Sequence, residues 1–246
     1  MKLQNQVAII TGGGRNIGAE IARLFVSEGA KVAIVDNDQD RGEAVAAEIA
    51  SSGGDAMAVV ADVSSEADVM AMVDAVVKKW SRVDILINNV AISDNKTLFE
   101  ITKAEWDQTL AVTLTGPFLV SKYVAKQMVD QGRGGKIVNI GSTSGYRGRD
   151  KAIAYTAAKG GVLNLTRSMA VFLAPHNIRV NGISPNMVGS PVGKENFDPN
   201  RKVRNLKGRP GEPDEVAKIA LFLVSDDSEF VMGHDILADG GFMCMM

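Results

Sequence analysis

The 246-residue chain predicts an α/β fold with a doubly wound parallel sheet of about seven strands and helices on both faces. Two observations carry this prediction. Short apolar runs alternate with longer helical patterns along the chain, and the first apolar run leads through a glycine cluster into an amphipathic segment. The chain shows no internal repeat, low-complexity tract or linker, so we expect residues 1–246 to form one domain.

The predicted strands are apolar on both faces, as buried parallel strands are. They are Val7–Thr11, Lys31–Val35, Ala56–Val60, Val83–Asn88, Lys136–Ile140, Ile178–Ile183 and Asp235–Ala238. The predicted helices between them are Asn16–Glu28, Asp38–Ser52, Glu66–Trp80, Lys103–Gln131, Ala152–Leu173 and Pro213–Ser225.

Composition excludes several classes of function. The net charge of −2 argues against a nucleic-acid partner, and no apolar run approaches the ~18 residues of a membrane span. The first six residues lack the apolar region of a secretory signal. Cys244 is the only cysteine, which favours a reducing compartment, so we expect a cytoplasmic protein. His176 and His234 show no ligand spacing, and we predict no metal.

The segment Thr11–Gly18, which reads TGGGRNIG, lies where the first strand turns into the first helix. Glycines there allow tight turns and close backbone approach, and free N–H groups at a helix start attract anions. Glycine clusters also occur in ordinary turns, so this segment alone is weak evidence. It predicts a phosphate-binding loop if the rest of the chain agrees.

Asp36 ends the second strand, eighteen residues after Gly18. A carboxylate at this distance can accept hydrogen bonds from the adenosine ribose and would repel a 2′-phosphate. The competing interpretation is a helix cap. Arg15 favours the 2′-phosphate instead, but Asp36 stands where that phosphate would lie. We therefore predict NAD, with NADP as the less favoured cofactor.

Two further strands end in residues suited to the same crevice. Asp62-Val63 follows the third strand, and Asn88–Ala91 ends the fourth. Open α/β sheets bind ligands at the carboxyl ends of their strands. Asn side chains there can tie loops together, although ordinary turns explain these residues equally well in isolation.

Tyr155 and Lys159 lie four residues apart and so share one helical face. An ammonium beside a phenol favours the phenolate and lowers its pKa, which makes Tyr155 a candidate general acid/base. Ser142, at the end of the fifth strand, is placed to bind the same substrate oxygen. Most Tyr and Lys residues at this spacing are ordinary surface pairs. The spacing indicates a catalytic pair here only because it follows a predicted dinucleotide site.

Together these motifs resemble the short-chain dehydrogenase/reductase family almost from end to end. The family's Thr-Gly-x-x-x-Gly-x-Gly, Asp-Val, Asn-Asn-Ala-Gly, Ser and Tyr-x-x-x-Lys elements match Thr11–Gly18, Asp62-Val63, Asn88–Ala91, Ser142, and Tyr155 with Lys159. The segments Ile178–Pro185 and Asp239–Gly241 resemble its C-terminal landmarks.

The resemblance implies a Rossmann-like NAD(P)-binding fold and a role for each matched residue. Tyr155 would transfer the substrate proton, Ser142 would position the oxygen, and Lys159 would tune the tyrosine and bind the nicotinamide ribose. The implied cofactor-binding residues are Gly12, Gly14, Arg15, Asn16, Ile17, Asp36, Asp62, Val63, Asn89, Tyr155, Lys159, Pro185 and Val188.

Four positions depart from the family pattern: Asn16, Val90-Ala91, Asn186 and Thr113. Thr113 stands in place of the family's active-site Asn, which helps to hold a water in a proton relay. The shorter threonine predicts a rearranged or weakened relay, and we keep it in the catalytic set. Asn16 replaces a glycine, but Asn tolerates left-handed backbone better than most residues.

The irregular stretch at about 186–209 lies where the family has its substrate lid. Its charges include Arg204 and Lys207 and could meet an anionic substrate, although solvated lid charge is the simpler interpretation. The apolar tail 242–246 is suited to a subunit contact, and the helices at 103–131 and 152–173 resemble those that pair subunits in family tetramers, so we predict a homotetramer.

We therefore expect an NAD-dependent oxidoreductase that interconverts a secondary alcohol and a ketone. The alternatives are an NADP-dependent ketone or 3-oxoacyl reductase, suggested by Arg15, and a catalytically impaired nucleotide-binding protein, suggested by Thr113 and Asn16.

Overall fold

The computed structural model describes residues 1–189 and 203–245. Seven parallel strands form one sheet in the order β3-β2-β1-β4-β5-β6-β7. The strands are β1 Val7–Thr11, β2 Lys31–Asp36, β3 Ala56–Val60, β4 Ile85–Asn88, β5 Gly135–Ile140, β6 Ile178–Pro185 and β7 Asp235–Ala238. The strand order reverses between β1 and β4, which opens a crevice at their carboxyl ends.

The helices of the described residues are α1 Asn16–Ser27, α2 Gln39–Ser51, α3 Glu66–Trp80, α4 Lys103–Leu110, α5 Gly116–Gln131, α6 Ile153–Leu173 and α7 Pro213–Val224. Alternate residues of the strands face two hydrophobic clusters. Ala8 and Ile10 pack with residues of α1, α2 and α7. Val7 and Ile9 pack with residues of α3, α5 and α6. The predicted α/β class, with helices on both faces, is confirmed.

The predicted helix Lys103–Gln131 is wrong in one respect, because a π-helical turn at Ala111–Thr115 separates α4 from α5. Pro117 lies at the start of α5 and has no N–H for the carbonyl four residues earlier. At the residue before it, the N–H of Gly116 donates to the carbonyl of Ala111, five residues back, which is the hydrogen bond of a π-helical turn. This turn carries Thr113, so the interruption falls beside the predicted site.

Among residues 1–189 and 203–245, no helix has the length and apolar character that crossing a bilayer requires.

Candidate active site

The glycine loop is packed too closely for side chains at two positions. Gly12 has φ +63°, and a Cβ there would lie 2.9 Å from Asn89 Nδ2. A Cβ on Gly18 would lie 2.1 Å from the carbonyl oxygen of Gly12. The start of α1 therefore lies directly against the end of β1, as a backbone that approaches a pyrophosphate requires.

Asn16 takes the left-handed backbone that its glycine-like place predicts, with φ +50°. Arg15 provides no side-chain cap for α1, and the first turn of this helix holds no acidic residue. The N–H groups at the start of α1 thus have no side-chain acceptor of their own and lie open to an anion.

Asn89 ties the glycine loop to the end of β4. Its Nδ2 donates to the carbonyl oxygens of Thr11 and Gly12, each at 3.1 Å. The backbone N–H of Asn89 donates to Thr11 Oγ1 at 3.0 Å. The predicted tie between these loops is confirmed, and it holds the turn in its bent shape.

Asp36 is a nearly buried carboxylate at the end of β2, 8% exposed. Its Oδ2 accepts from the N–H of Gly14 at 3.1 Å and its Oδ1 from the N–H of Asp38 at 3.2 Å. Arg15 and Arg41 line the same end of the cavity, and Arg41 pairs with Asp38 at 3.1 Å. Sequence reasoning missed Arg41, since a helical arginine carries no motif.

A cavity of about 630 Å³ runs from the glycine loop across the strand ends to Tyr155. Its size is that of sites for small ligands and cofactors. The predicted residues on its wall are Gly12, Arg15, Asn16, Ile17, Asp36, Asp62, Val63, Asn89, Ser142, Tyr155, Lys159, Pro185 and Val188. The close-packed glycines, the uncapped helix start and the carboxylate at one end fit a dinucleotide. Gly14 is absent from this wall and contributes its N–H to Asp36.

Lys159 is buried beside Tyr155, with its Nζ 5.8 Å from the centroid of the tyrosine ring. The Nζ donates to the carbonyl oxygen of Ile140 at the end of β5. Burial lowers the pKa of Lys159 to about 8, against an opposing effect from the charge of Asp235. The lysine is thus held in place on the neighbouring strand.

In the protein without its cofactor the pKa of Tyr155 is raised, and a lowering of that pKa by Lys159 stays a prediction. Burial raises the pKa of Tyr155, and this desolvation outweighs the lowering by a hydrogen bond with Ser142 and by the charge of Arg149. The phenol of the free protein is therefore protonated at neutral pH.

Thr113 is fully buried and does not line the cavity. Its Oγ1 donates to the carbonyl of Ile92 and accepts from the N–H of Ile92, both at 3.1 Å. The π-helical turn thereby holds the loop after β4, and Ile92 itself lies on the cavity wall. A role for Thr113 in a proton relay stays a prediction, and its one donor is already engaged with Ile92.

Two polar features near the site escaped sequence reasoning. Asp94 accepts from the N–H of Tyr155 at 3.1 Å. Below the strand ends, Asn88 Nδ2 donates to Ser121 and Asn139, both at 2.8 Å, and Asn139 donates onward to Thr166. Contacts between residues so far apart in sequence leave no local pattern.

The parallel sheet, the cavity at its switch point and the Tyr-Lys pair define the class of nucleotide-dependent α/β oxidoreductases. A family model described as enoyl-(acyl carrier protein) reductase matches residues 12–243. The chain belongs to the short-chain dehydrogenase/reductase family of oxidoreductases, which use NAD or NADP as cofactor.

Known proteins match the chain along nearly its whole length. It is 36% identical to D-threitol dehydrogenase from Mycolicibacterium smegmatis, over 98% of this chain and 94% of that protein. It is 37% identical to 2-(S)-hydroxypropyl-CoM dehydrogenase 3 from Xanthobacter autotrophicus, over 98% and 97%. The crystal structure of a short-chain type dehydrogenase/reductase from Mycobacterium marinum matches with a TM-score of 0.94 and 33% identity, covering 99% of this chain and 97% of that chain.

Proposed function

We propose that the protein is an NAD-dependent dehydrogenase that oxidises a secondary alcohol to a ketone. The observation that carries this proposal is one cavity with Asp36 at one end and Ser142, Tyr155 and Lys159 at the other. A wall with a carboxylate suited to bind a ribose and a phenol suited to proton transfer supports this proposal.

The protein's own residues provide orientation and proton transfer, and a cofactor held in this cavity would supply the acceptor for the hydride. Tyr155 takes the proton from the substrate hydroxyl, and Ser142 hydrogen-bonds the same oxygen and the phenol. Lys159, held by the carbonyl of Ile140, places a cation near the Tyr155 phenolate that accepts this proton. In the reverse direction Tyr155 returns the proton to the ketone oxygen.

Asp36 supports NAD over NADP. Its two carboxylate oxygens are held by the N–H groups of Gly14 and Asp38, so the charge has a fixed place. A 2′-phosphate beside it would meet like charge. Arg15 and Arg41 favour the alternative, an NADP-dependent ketone or 3-oxoacyl reductase, but Arg41 is neutralised by Asp38.

A nucleotide-binding protein with impaired chemistry is the alternative from another class. This alternative is suggested by the hydrogen bond from Thr113 to the carbonyl of Ile92, because the hydroxyl then has no second proton to donate to a relay. The intact set of Ser142, Tyr155 and Lys159 on one cavity wall argues for an active enzyme.

The test is a panel of secondary alcohols and ketones assayed by NADH absorbance with both cofactors. We expect oxidation with NAD, its loss in Tyr155→Phe, and full activity in the control Tyr123→Phe. Tyr123 is suited to this control because it bonds Glu66 on the protein surface. A strong NADP preference would overturn the choice of cofactor. No turnover of any panel member would favour the impaired nucleotide-binding protein.

Assembly, domain organisation and location are also parts of the proposal. Phe118 on α5 and Val171 and Phe172 on α6 are 47%, 79% and 74% exposed, which supports burial in a homotetramer. Light scattering that finds a monomer would overturn the homotetramer.

We keep residues 1–246 as one domain with a lid at about 186–209, of which 190–202 lie outside the described residues. We propose a cytoplasmic location on the strength of the single cysteine.

A further inference from the structure

A second cavity of about 630 Å³ adjoins the first at the reacting end of the site. Ser142, Tyr155 and Asn186 line both cavities. Tyr155 therefore lies at the junction of the two cavities, and a substrate bound at its phenol has room to extend into the second one.

Three arginines line this second cavity: Arg147, Arg149 and Arg204. Its other described lining residues are Ser142, Thr143, Ser144, Tyr155, Asn186, Met187, Val203 and Phe242. Among the described lining residues there is no carboxylate to balance the guanidinium groups. The cavity beside the catalytic tyrosine is therefore positively charged.

The three arginines differ in the interactions that their side chains make. Arg147 lies over the ring of Phe242, with its Cζ 5.0 Å from the centroid. Arg149 and Arg204 form no ion pair with any residue in 1–189 or 203–245. By contrast, Arg209 pairs with Glu215 at 2.7 Å only a few residues further on. Arg149 and Arg204 are exposed, and Arg149 shares the cavity wall with Tyr155, whose pKa its charge lowers.

A neutral polyol would suit this cavity poorly. Seating an uncharged molecule against Arg149 and Arg204 would displace water from two cations and offer no charge in return. An oxyanion compensates that loss, because a guanidinium binds carboxylate or phosphate through paired, charge-assisted hydrogen bonds.

We infer that the substrate is a secondary alcohol or ketone with an anionic group, and that Arg149 and Arg204 bind this carboxylate or phosphate. The inference rests on the proposed function for the oxidised carbon and adds the class of molecule. It also gives the arginines a role in specificity: they orient the hydroxyl toward Tyr155 by holding the far end of the molecule.

The kinetic test uses matched acids and amides, 3-hydroxybutyrate with 3-hydroxybutyramide and 4-hydroxypentanoate with 4-hydroxypentanamide. We expect kcat/KM to favour an acid over its amide by at least about tenfold. Arg149→Gln and Arg204→Gln should each lower kcat/KM for the acid, mainly through KM, by a factor at least about fivefold larger than any change for the matched amide. Lys207→Gln is the control, because Lys207 is exposed nearby and does not line the cavity.

A binding test separates this inference from the proposed chemistry. Pentanoate, propylphosphonate and pentanamide are titrated calorimetrically into the enzyme with NADH bound. We expect one or both anions to bind, the amide not to bind, and the anions to lose binding in Arg149→Gln/Arg204→Gln. The carboxylate and the phosphonate distinguish the two kinds of oxyanion.

The outcomes of the two tests distinguish the anion site from the proposed function. Equal binding of amide and anions, no binding of any probe, or anion binding that survives the double substitution would overturn the inference. Efficient turnover of alcohols without any acid preference would overturn it and leave the proposed function intact. Arginine-dependent anion binding without turnover of any alcohol would support the anion site and contradict the proposed function.

Discussion

The carboxylate of Asp94 accepts a hydrogen bond from the backbone N–H of Tyr155 at 3.1 Å. Ala152, the N-cap of α6, has φ +62° and no side chain that can cap the helix. Asp94, on the loop after β4, therefore supplies the acceptor that the cap position lacks. The first turn of α6, which carries Tyr155, is held by a residue far away in sequence.

Replacing this acceptor should displace Tyr155 without touching the chemistry directly. Asp94→Ala should cost about 1 kcal/mol of stability and lower kcat severalfold, because the first turn of α6 loses its acceptor. Asp94→Asn retains an amide oxygen and should recover most of kcat. Denaturant unfolding and steady-state kinetics check both variants. Equal kcat in wild type and Asp94→Ala would show that the bond does not position the tyrosine.

The rate of alcohol oxidation should rise with pH because Tyr155 must accept a proton. Burial raises the pKa of Tyr155, so the phenolate fraction of the free enzyme grows from neutral to alkaline pH. We expect kcat/KM to increase by up to about tenfold per pH unit below that pKa. With a neutral alcohol, Arg149→Gln should move the rise to higher pH, since the arginine charge lowers the phenol's pKa. A flat profile between pH 7 and 10 would contradict this role.

Lys159 should make stability depend on pH in an unusual direction. Its pKa is lowered from 10.5 to about 8 by burial, so between these values the unfolded chain binds a proton that the folded chain releases. Burial of Lys159 therefore lowers the free energy of unfolding by its full amount below pH 8, and this destabilisation is lost as pH rises toward 10.5.

Comparison with Lys159→Met isolates this effect. The stability of wild type relative to the variant should increase by roughly 2 kcal/mol between pH 7 and pH 9.5, measured by urea unfolding. Lys122→Met is the control: the pKa of Lys122 is raised by its hydrogen bond with Glu66, so the same comparison should show no increase over this window. A constant difference for Lys159 would mean that the lysine is not desolvated.

Asn16 should tolerate glycine but not a β-branched residue, because its φ is +50°. Asn16→Gly should leave the KM for NAD nearly unchanged, whereas Asn16→Val should cost about 1–2 kcal/mol and raise that KM. Asn177→Val is a matched control at φ +56°, outside the cavity, and should cost stability without changing the KM. A large improvement in KM for Asn16→Gly would show that asparagine compromises the loop.

Substitutions at Asp36 should separate its charge from its hydrogen bonds. Asp36→Asn keeps an acceptor for the N–H of Gly14 or Asp38 and removes the repulsion toward a 2′-phosphate. We expect the ratio of kcat/KM for NAD to that for NADP to fall at least about tenfold. Arg15→Gln should change the ratio in the opposite direction. An unchanged ratio in Asp36→Asn would place cofactor discrimination elsewhere.

The sequence alone determined the α/β class, most element bounds and the presence on the cavity wall of the predicted cofactor-binding residues other than Gly14. Apolar runs, glycines and strand-end residues act through local geometry, and parallel strands place their carboxyl ends together, so order along the chain predicts the crevice. Asn16 and Asn89 adopt the roles expected from their positions for this reason.

Only the tertiary structure decided the interactions that depend on packing between distant segments. The π-helical turn around Thr113, its clamp on Ile92 and the cap from Asp94 involve partners that no local pattern links. The direction of the Tyr155 pKa also depends on packing, because desolvation arises from the atoms around a group and not from its neighbours in sequence. The same holds for the arginines beside Tyr155, since folding alone leaves Arg149 and Arg204 without a balancing carboxylate on the described cavity wall.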